Sequence, residues 1–437
     1  MPFSRLFAIA LALAVAVGPI GGAAAVMAET TSDPAKAGAK SAATAEIVFF
    51  PARGEADACG PGCNEWIAAE GKIDAGAATR LRRLLTKLGH RRPPIYFHSP
   101  GGSIVGSLEL GRLIRDQKLS VSVAYTVPLA CDRDKPLEKT CEAQKHSGQE
   151  LESVFDPAAS ICNSGCVYAV AGGAVRLIPP WVKLGIHDVG FDPDNPPPRA
   201  LQGEAKRTAH ARIQQYLREM GMDEALYKAA AAVPFESGKF LEREELVRFG
   251  IDRREFGEAG WQLVDKPEPA IAKGFFVRTE SDQARYVDGA VILTCGGGPA
   301  IRLALARQQG AAETPGSGPH FLSVDLNGQR IDLPYQIAST KLDMRAASLP
   351  ASTFDAIGDD ATIGLSGTGL ARHDDPAGDI TLNMHGFTTA YTKLRKSCEQ
   401  PAHGPAAAML PPGKPIPFAD PGSLQGLSVP AVAGWPK

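Results

Sequence analysis

Residues 162–173 read Cys-Asn-Ser-Gly-Cys-Val-Tyr-Ala-Val-Ala-Gly-Gly, and the fold assignment rests first on these twelve residues. Their small and apolar side chains favour a helix that begins near Ser164. A helix N-terminus provides positive electrostatic potential, and the glycine at 165 lets a substrate approach the backbone. Ser164, at this loop-to-helix junction, is therefore a candidate nucleophile.

Two flanking segments supply the other groups that a serine hydrolase needs, namely a base and donors for the oxyanion. The run from Val182 predicts a strand that ends at His187, 23 residues after Ser164. Upstream, a predicted strand is broken by Ser99-Pro-Gly-Gly102, after which a helical pattern resumes. The backbone N–H groups of these two glycines can face an anion there.

The pattern from Ile47 to Val127 alternates strands with helices, which predicts a parallel sheet with right-handed crossovers. The segment from Pro128 to Ser160 interrupts this pattern with charges and little periodicity, and we interpret it as an inserted surface loop. Helical patterns return after the histidine strand, at 204–220, 223–232 and 242–249. The predicted fold class of this part is α/β.

Four motifs of this region, taken in order, resemble the proteolytic subunit of the Clp protease, in the ClpP/crotonase-like superfamily. The motifs are Tyr-Phe-His-Ser-Pro-Gly-Gly-Ser (96–103), the stretch 162–173, Leu-Gly-Ile-His (184–187) and Phe-Leu-Glu-Arg-Glu-Glu-Leu-Val-Arg-Phe-Gly-Ile-Asp (240–252). The resemblance covers roughly Ile47 to Asp265 and implies a ClpP/crotonase-like ββα superhelix. It also implies Ser164 as nucleophile, His187 as general base, and the N–H groups of Gly102 and Gly165 as the oxyanion hole.

The family's catalytic aspartate has no counterpart at its expected position, because Gly238 stands two residues before the phenylalanine of the fourth motif. Glu236 is the candidate substitute. Asp188 is a weaker candidate, since neighbouring residues of a strand point to opposite faces. The signal-peptide peptidase branch of the superfamily uses a lysine, so Lys206 is an alternative base.

The chain of 437 residues is longer than one hydrophobic core usually spans, so two folded domains are expected. The second, smaller and mostly β domain has alternating strand patterns that suit a small sandwich, ended by a helix from Thr388 to Cys398. The predicted segments are a signal peptide (1–28), a disordered tail (29–45), the ClpP/crotonase-like domain (46–265), a linker (266–280), the small β-rich domain (281–400) and a Pro/Ala/Gly-rich tail (401–437).

Export is predicted from the N-terminus, where an apolar run from Leu6 to Val17 precedes small residues ending at Ala28, a pattern typical of a cleavable signal. In an oxidising compartment the eight cysteines are expected to form disulfides. Proximity favours three pairs and closure of a long loop favours a fourth, while other pairings and a reactive thiol at Cys166 stay open. The favoured pairs are Cys59 with Cys63, Cys131 with Cys141, Cys162 with Cys166, and Cys295 with Cys398.

The composition excludes several classes of function. A formal net charge of −2 with both signs scattered gives no basic surface for nucleic acid or for a membrane. No His-Glu-x-x-His spacing is present, and Cys295-Gly-Gly-Gly298 lacks the ending of a phosphate-binding loop, so neither a metal nor a cofactor is predicted. An exported protein has no ATP pool, which excludes an ATPase partner. The family forms rings, so a homo-oligomer fits the resemblance.

The predicted function is that of an exported serine hydrolase, a peptidase that acts on a peptide or protein substrate in the periplasm or outside the cell. A pair of Ser164 and His187 without an orienting acid would be slower than a complete triad. One alternative is therefore a catalytically weak or inactive relative that binds peptides or an envelope partner. Another is an acyl-thioester enzyme of crotonase type, which the exported location disfavours because coenzyme A is a cytoplasmic substrate.

Overall fold

A computed structural model describes residues 46–132, 138–156, 160–180, 182–191, 196–264, 269–279, 285–308, 321–326, 328–338, 342–366 and 380–399. Three predicted segments lie outside these ranges, namely the signal peptide (1–28), the tail at 29–45 and the tail at 401–437. The described residues form a mixed α/β structure with several sheets.

Residues 48–248 fold into alternating strands and helices. In the first helix the apolar period puts Leu81, Leu84 and Leu88 on one buried face. The second helix is capped by Ser103, whose hydroxyl accepts a hydrogen bond from the Gly106 N–H at 3.2 Å. The elements are β1 (Val48–Arg53), β2 (Glu65–Glu70), α1 (Ala77–Leu88), β3 (Ile95–His98), α2 (Ile104–Asp116), β4 (Ser120–Val123), β5 (Tyr125–Pro128), α3 (Lys139–His146), β6 (Leu151–Asp156), β7 (Cys162–Asn163), α4 (Gly165–Ala171), β8 (Val175–Leu177), β9 (Leu184–Ile186), α5 (Arg199–Glu219), α6 (Glu224–Ala231), β10 (Lys239–Phe240) and α7 (Arg243–Arg248).

Two sheets organise these elements. The larger has seven strands in the order β5-β6-β1-β2-β3-β4-β8. Its run from β2 through β3 and β4 to β8 is parallel, whereas β1 is antiparallel to β2. A smaller sheet has the order β10-β9-β7, with β7 and β9 parallel. Ser164 follows β7 directly and His187 follows β9 directly, so the smaller sheet positions both candidate catalytic residues.

The main hydrophobic core joins one face of the seven-stranded sheet to α1, α2 and α4, and it fully buries Phe97, Leu110 and Val167. The opposite face of the sheet carries a smaller cluster, where the rings of Trp66 and Phe155 lie with their centroids 4.4 Å apart. Because α2 and α4 both pack into the main core, their N-termini are held side by side at the edge where the candidate site lies.

The segment from Pro128 to Ser160 is more ordered than the predicted surface loop, which corrects that interpretation. Strand β6 pairs with β1 and β5, so the segment extends the seven-stranded sheet. Helix α3 carries Lys145, whose ammonium lies 2.8 Å from the Glu70 carboxylate, with both side chains buried. These elements are short and mix polar with apolar residues, so the sequence carries no periodic signal for them.

The remaining described residues are mostly antiparallel β-structure around a second hydrophobic core, in which Phe275, Leu303 and Phe387 are fully buried. The elements are β11 (Phe256–Glu258), β12 (Gln262–Val264), β13 (Ala270–Thr279), β14 (Arg285–Cys295), β15 (Ala300–Gln308), β16 (Phe321–Leu326), β17 (Gln329–Ala338), β18 (Leu342–Pro350), α8 (Ser352–Asp355), β19 (Thr362–Ser366), β20 (Ile380–Asn383) and α9 (Phe387–Glu399).

These strands join into one ten-stranded sheet, whereas the sequence suggested the two separate sheets of a sandwich. Strand β17 makes the difference, because its first half pairs with β16 and its second half with β18. Part of the predicted linker is also strand: the side chains from Ala270 to Val277 in β13 are buried. Strands β11 and β12 pair with β13, although both precede the predicted boundary at Asp265.

Four disulfides are present, and they are the four pairs that the sequence analysis favours. They are Cys59–Cys63, Cys131–Cys141, Cys162–Cys166 and Cys295–Cys398. Four disulfides are consistent with a location outside the cytoplasm. Separately, none of the helices in the described ranges has the length and apolar character needed to cross a bilayer.

Candidate active site

Ser164 lies in an uncommon backbone conformation at the turn between β7 and α4. Its φ is 54° and its ψ is −123°, a region that non-glycine residues rarely occupy and that costs on the order of 1–3 kcal/mol. Backbone hydrogen bonds hold the turn: the Asn163 N–H donates to the Ser99 carbonyl at 3.1 Å, the Ser164 N–H donates to the Gly185 carbonyl at 2.7 Å, and the Val167 N–H donates to the Ser164 carbonyl at 3.0 Å. We call residues 162–166 the nucleophile turn.

A comparison of two serines at helix N-termini shows that Ser164 does not act as an ordinary cap. Ser103 precedes α2 with φ −58°, and its hydroxyl accepts a hydrogen bond from the Gly106 N–H. Ser164 precedes α4 with positive φ, and its hydroxyl makes no capping hydrogen bond. The strained backbone therefore presents the Ser164 hydroxyl away from the helix end that an ordinary cap would satisfy.

The turn from β3 into α2 lies directly against Ser164. Gly101 has φ 101° and Gly102 has φ 141°, both in the region that favours glycine. A Cβ on Gly101 would lie 2.6 Å from the Asn163 carbonyl oxygen and 2.7 Å from the Ser164 Cβ. Only a residue without a side chain fits there, so the turn at Gly101 and Gly102, which we call the glycine turn, brings its backbone against Ser164.

The backbones of Gly102 and Gly165 are close neighbours, since a Cβ on Gly165 would lie 3.3 Å from the Gly102 nitrogen. The Ile73 N–H donates to the Gly101 carbonyl and the Ser103 N–H donates to the Ile73 carbonyl, which leaves the Gly102 N–H outside this bridge. Within the described part of the chain, neither glycine N–H donates to a backbone carbonyl. Both donors are available for an oxyanion.

His187 lies at the same end of the small sheet as Ser164. Asn163 pairs with Gly185 in the register of β7 and β9, so Ser164 and His187 follow paired positions by one and two residues. His187 Nδ1 lies 2.6 Å from the Asp188 carbonyl oxygen. Because a carbonyl only accepts, Nδ1 carries the proton, and Nε2 is the ring nitrogen that holds the lone pair of the neutral imidazole.

The environment of His187 keeps the imidazole neutral. Burial, the largest effect, lowers the pKa of His187, while the bond to the Asp188 carbonyl and the charges of Asp188 and Glu236 oppose that shift without reversing it. The Phe235 ring packs edge-on against the imidazole, with centroids 5.0 Å apart, and contributes to this burial. A Cβ on Gly190 would overlap the Phe235 ring, so this packing needs a glycine there.

Neither Gly238 nor Glu236 supplies a carboxylate that hydrogen-bonds to His187 among the described residues. Gly238 and Glu236 both lie in an exposed loop, residues 233–238, which we call the Phe235 loop. Glu236 is near enough to influence His187 electrostatically, yet no hydrogen bond joins these two described residues. Likewise, no hydrogen bond joins the described residues Ser164 and His187. The Asp188 carbonyl therefore occupies the place on Nδ1 that a triad acid would take.

The carboxylate of Asp188 is held from α5 by two side chains one helical turn apart. Lys206 Nζ lies 2.6 Å from one carboxylate oxygen, and His210 Nε2 lies 2.8 Å from the other. Burial alone would raise the pKa of Asp188, but these hydrogen bonds outweigh it and lower the pKa. Lys206, the alternative base of the sequence analysis, is thus engaged in an ion pair, and an ammonium has no lone pair with which to accept a proton.

An apolar groove of about 490 Å³ lies between the first turn of α2 and the first half of α5. Ile104 and Val105 line one side, and Leu201 and Ala205 line the other. Val105 is 41% exposed and Leu201 is 52% exposed, so the groove is open to solvent. Because Ile104 follows Gly102 by two residues, the groove begins beside the glycine turn.

Comparisons with known proteins add little to this geometry. No protein-family model matches the chain, and no curated protein matches it. Among solved structures, a mutant of the 1510-N membrane-bound stomatin-specific protease is 13% identical, with a TM-score of 0.28, and the match covers 42% of this chain and 75% of that chain. A likeness of this size carries no argument about fold or activity.

Sequence reasoning missed three features of the site, namely the Asp188 carbonyl, the Phe235 ring and His210. No pattern marks a main-chain acceptor, and Phe235 follows Pro234 in a segment without periodicity. His210 carried a weak signal, because Lys206 and His210 are four residues apart and share one helix face. Within the described ranges, no group of three or more His, Cys, Asp or Glu side chains is arranged to hold a metal ion.

Proposed function

We propose that the protein is an exported serine peptidase of ClpP/crotonase-like fold, with Ser164 as nucleophile and His187 as general base. The observation that carries the proposal is the backbone of Ser164, which has positive φ and lies against the glycine turn. Strained residues that the surrounding structure holds in place cluster at active sites. An ordinary helix cap needs no such conformation, as Ser103 demonstrates.

The proposed reaction follows from the positions of these groups. Ser164 Oγ attacks the carbonyl carbon of the substrate while its proton passes to His187 Nε2. The N–H groups of Gly102 and Gly165 stabilise the resulting oxyanion. The intermediate collapses, the C–N bond breaks, and the leaving amine takes the proton from His187. Water then attacks the acyl-enzyme by the same route, which releases the acid product and restores Ser164.

The Asp188 main chain takes over one part of the acid's role. Its carbonyl fixes the His187 tautomer with the proton on Nδ1, at a distance of 2.6 Å. A neutral carbonyl stabilises an imidazolium less than a carboxylate does, so the pair is slower than a complete triad. Lys206 and His210 anchor the Asp188 side chain and so limit the movement of this carbonyl.

The groove beside the glycine turn suits an apolar side chain of the substrate. Its apolar walls are Ile104, Val105, Leu201, Ala205 and Ala209, beside Glu204, Thr208 and Arg212, and burying an aliphatic side chain there contributes at most about 1.5–3 kcal/mol. This preference and the oxyanion donors together favour a peptide substrate. The disulfides agree with an exported protein, which acts without an ATPase partner because no ATP pool is available outside the cytoplasm.

Labelling by a fluorophosphonate probe tests the proposal, because the probe phosphonylates activated serines. The mature protein is expected to be labelled, Ser164→Ala is expected to abolish labelling, and His187→Ala is expected to slow it by about 10²-fold or more. Ser237→Ala is the matched control, since Ser237 is an exposed serine of the Phe235 loop. Absence of labelling in the folded wild type, or labelling that survives Ser164→Ala, would overturn the proposal.

A second candidate function is that of an inactive relative that binds peptides or an envelope partner. One observation favours it, namely that no hydrogen bond joins Ser164 to His187 among the described residues, where His187 Nδ1 lies against the Asp188 carbonyl. In that case the groove would still bind an apolar peptide, and Leu201→Asp would weaken binding while Ser164→Ala would not. Binding without probe labelling would select this function over the peptidase.

A further inference from the structure

The disulfide Cys162–Cys166 surrounds Ser164 symmetrically, since one cysteine is two residues before the serine and the other two residues after it. Cys162 lies in β7, which pairs with β9, and Cys166 lies in the first turn of α4. Both cysteines are fully buried. The covalent bond therefore ties the strand that precedes the strained serine to the helix that follows it.

We propose that this disulfide holds Ser164 in its reactive backbone conformation, so that the chain becomes an active hydrolase only after oxidation outside the cytoplasm. The inference rests on the proposed function of Ser164. It assigns Cys162 and Cys166 as positioning residues, because they act through the backbone of Ser164 and do not touch the reacting atoms.

The physical reason lies in the neighbours of Ser164. A positive φ at a non-glycine residue persists only where the surroundings over-determine it. Backbone hydrogen bonds to Ser99, Gly185 and Val167 contribute, but α4 is only seven residues long and begins at Gly165, a residue with wide conformational freedom. Without the bond from Cys162 to Cys166, the turn can relax to negative φ, which moves the Ser164 hydroxyl away from the glycine N–H groups.

The redox step is a simple exchange. In the reduced chain the two thiols are free. An external disulfide takes two electrons and two protons from the Cys162 and Cys166 thiols and leaves as two thiols, while Cys162 and Cys166 form the S–S bond. The cytoplasm keeps thiols reduced, whereas an exported chain meets an oxidising compartment. A precursor in the cytoplasm would thus lack the reactive conformation of Ser164 and would not hydrolyse cytoplasmic proteins.

Because the Cys162–Cys166 disulfide is buried, it forms once, during folding, and is not reversibly reduced in the folded protein. Neither sulfur is accessible in the folded protein, so a thiolate cannot attack the bond without unfolding of the turn. A folded sample is therefore expected to keep its labelling rate in a mild reductant. A sample that is folded from the reduced chain is expected to label slowly.

The chain offers a matched control. Cys59–Cys63 has the same sequence separation of 4 residues and a similar Cα–Cα distance, 5.1 Å against 5.3 Å. The chain-entropy model therefore assigns both bonds the same stabilisation. Cys59–Cys63 flanks a surface turn, Gly60-Pro-Gly62, and is partly exposed. It differs from the site pair in its burial and in its position relative to Ser164.

The test compares wild type, Cys162→Ala/Cys166→Ala and Cys59→Ala/Cys63→Ala by fluorophosphonate kinetics and thermal melting. For the site pair, the maximal inactivation rate is expected to fall about tenfold or more, equivalent to about 1.4 kcal/mol, with the half-saturating probe concentration unchanged. For the control pair, both constants are expected to stay at wild-type values. An equal rate in the site pair, or an equal loss in both pairs, would overturn the inference.

A second measurement covers the case in which the site pair does not fold. The mature Cys59→Ala/Cys63→Ala chain, which keeps Cys162 and Cys166, is made in a reducing cytoplasm and labelled before and after treatment with glutathione disulfide. Labelling is expected to rise with formation of the Cys162–Cys166 bond, and labelling that is the same before and after would contradict the inference. If oxidised wild type is never labelled, the proposed function fails, an outcome distinct from failure of the disulfide's role.

Discussion

The nucleophile turn and the segment around His187 meet at one end of the small sheet, yet they are held in different ways. Around Ser164, a disulfide, backbone hydrogen bonds and the contact with Gly101 fix the main chain. Around His187, the Asp188 carbonyl and the Phe235 ring orient and bury the imidazole. The conformation of Ser164 depends on its backbone contacts, whereas the orientation and burial of His187 depend on neighbouring groups, one of which is a side chain that can be substituted. Changes on the first side should remove activity, and changes on the second should tune it.

The largest effect is expected from Gly101→Ala, which puts a methyl group against the Asn163 carbonyl and the Ser164 Cβ. Labelling should fall by about 10²-fold or more, because the oxyanion donors are displaced. Gly60→Ala is the matched control, since Gly60 also has positive φ, 116°, but has no atoms within 4 Å of the added Cβ. Similar losses in both variants would mean that backbone strain, and not the contact, is responsible.

The next effect is expected from His187→Ala, which removes the base but leaves the nucleophile turn intact. The labelling rate should fall by about 10²- to 10⁴-fold, the usual contribution of general base catalysis. His146→Ala, at an exposed position of α3, should leave the rate unchanged. A His187→Ala variant that labels at the wild-type rate would assign proton transfer to another group.

Asp188→Asn separates a main-chain role from a side-chain role. The substitution keeps the carbonyl that holds His187 Nδ1 but weakens the ion pair with Lys206. The account predicts a loss of about tenfold, whereas removal of a true triad acid costs about 10⁴-fold. The ratio of probe inactivation rates measures which value applies. His210→Gln, which removes one of the two anchors, should give a smaller loss than Asp188→Asn.

Phe235→Ala tests the burial of the base through its pH dependence. Activity requires neutral His187 and is lost as pH falls through the folded-state pKa, which burial holds below the usual histidine value. Removal of the Phe235 ring exposes the His187 imidazole to solvent, which should raise the pKa of His187. The acid limb of the rate profile should therefore move to higher pH. At pH 8 the rate should change by less than about tenfold. An unmoved limb would show that Phe235 does not set the protonation of His187, and Leu177→Ala serves as an exposed apolar control.

The smallest effect is expected from Glu236→Gln. Glu236 is exposed and acts on His187 only through its charge, so the labelling rate should change by less than about twofold, and the acid limb should move slightly to lower pH. Measurement in high salt should remove even this shift, since screening weakens exposed charges. A large loss would instead give Glu236 the place of the triad acid.

Much of the site followed from sequence because the relevant signals are local. The glycines at 101 and 102 end one strand, Ser164 begins one helix, and His187 ends another strand, so each residue carries its own turn or period signal. The parallel register of β7 and β9 then brings Ser164 and His187 to one end of the sheet. The four cysteine pairs were favoured for the same reason of proximity, or of closure of one long loop.

The remaining features depend on contacts between distant parts of the chain. The packing of Phe235 against Gly190 and the ion pair of Lys206 with Asp188 arise from the tertiary structure. Such contacts produce no periodic pattern in the sequence. Strand β13 was mistaken for linker because its sequence mixes Ala, Lys and Gly, although its partner β14 buries it. The same holds for β6 and α3, which are short and are stabilised by the sheet they join.

The most direct test of the account is to map the fluorophosphonate adduct by mass spectrometry of the digested mature protein. The account predicts one adduct, on the Ser164 hydroxyl, formed faster in wild type than in His187→Ala. An adduct on a different residue, or none in folded protein, would contradict the central claim that the nucleophile turn sets Ser164 for attack.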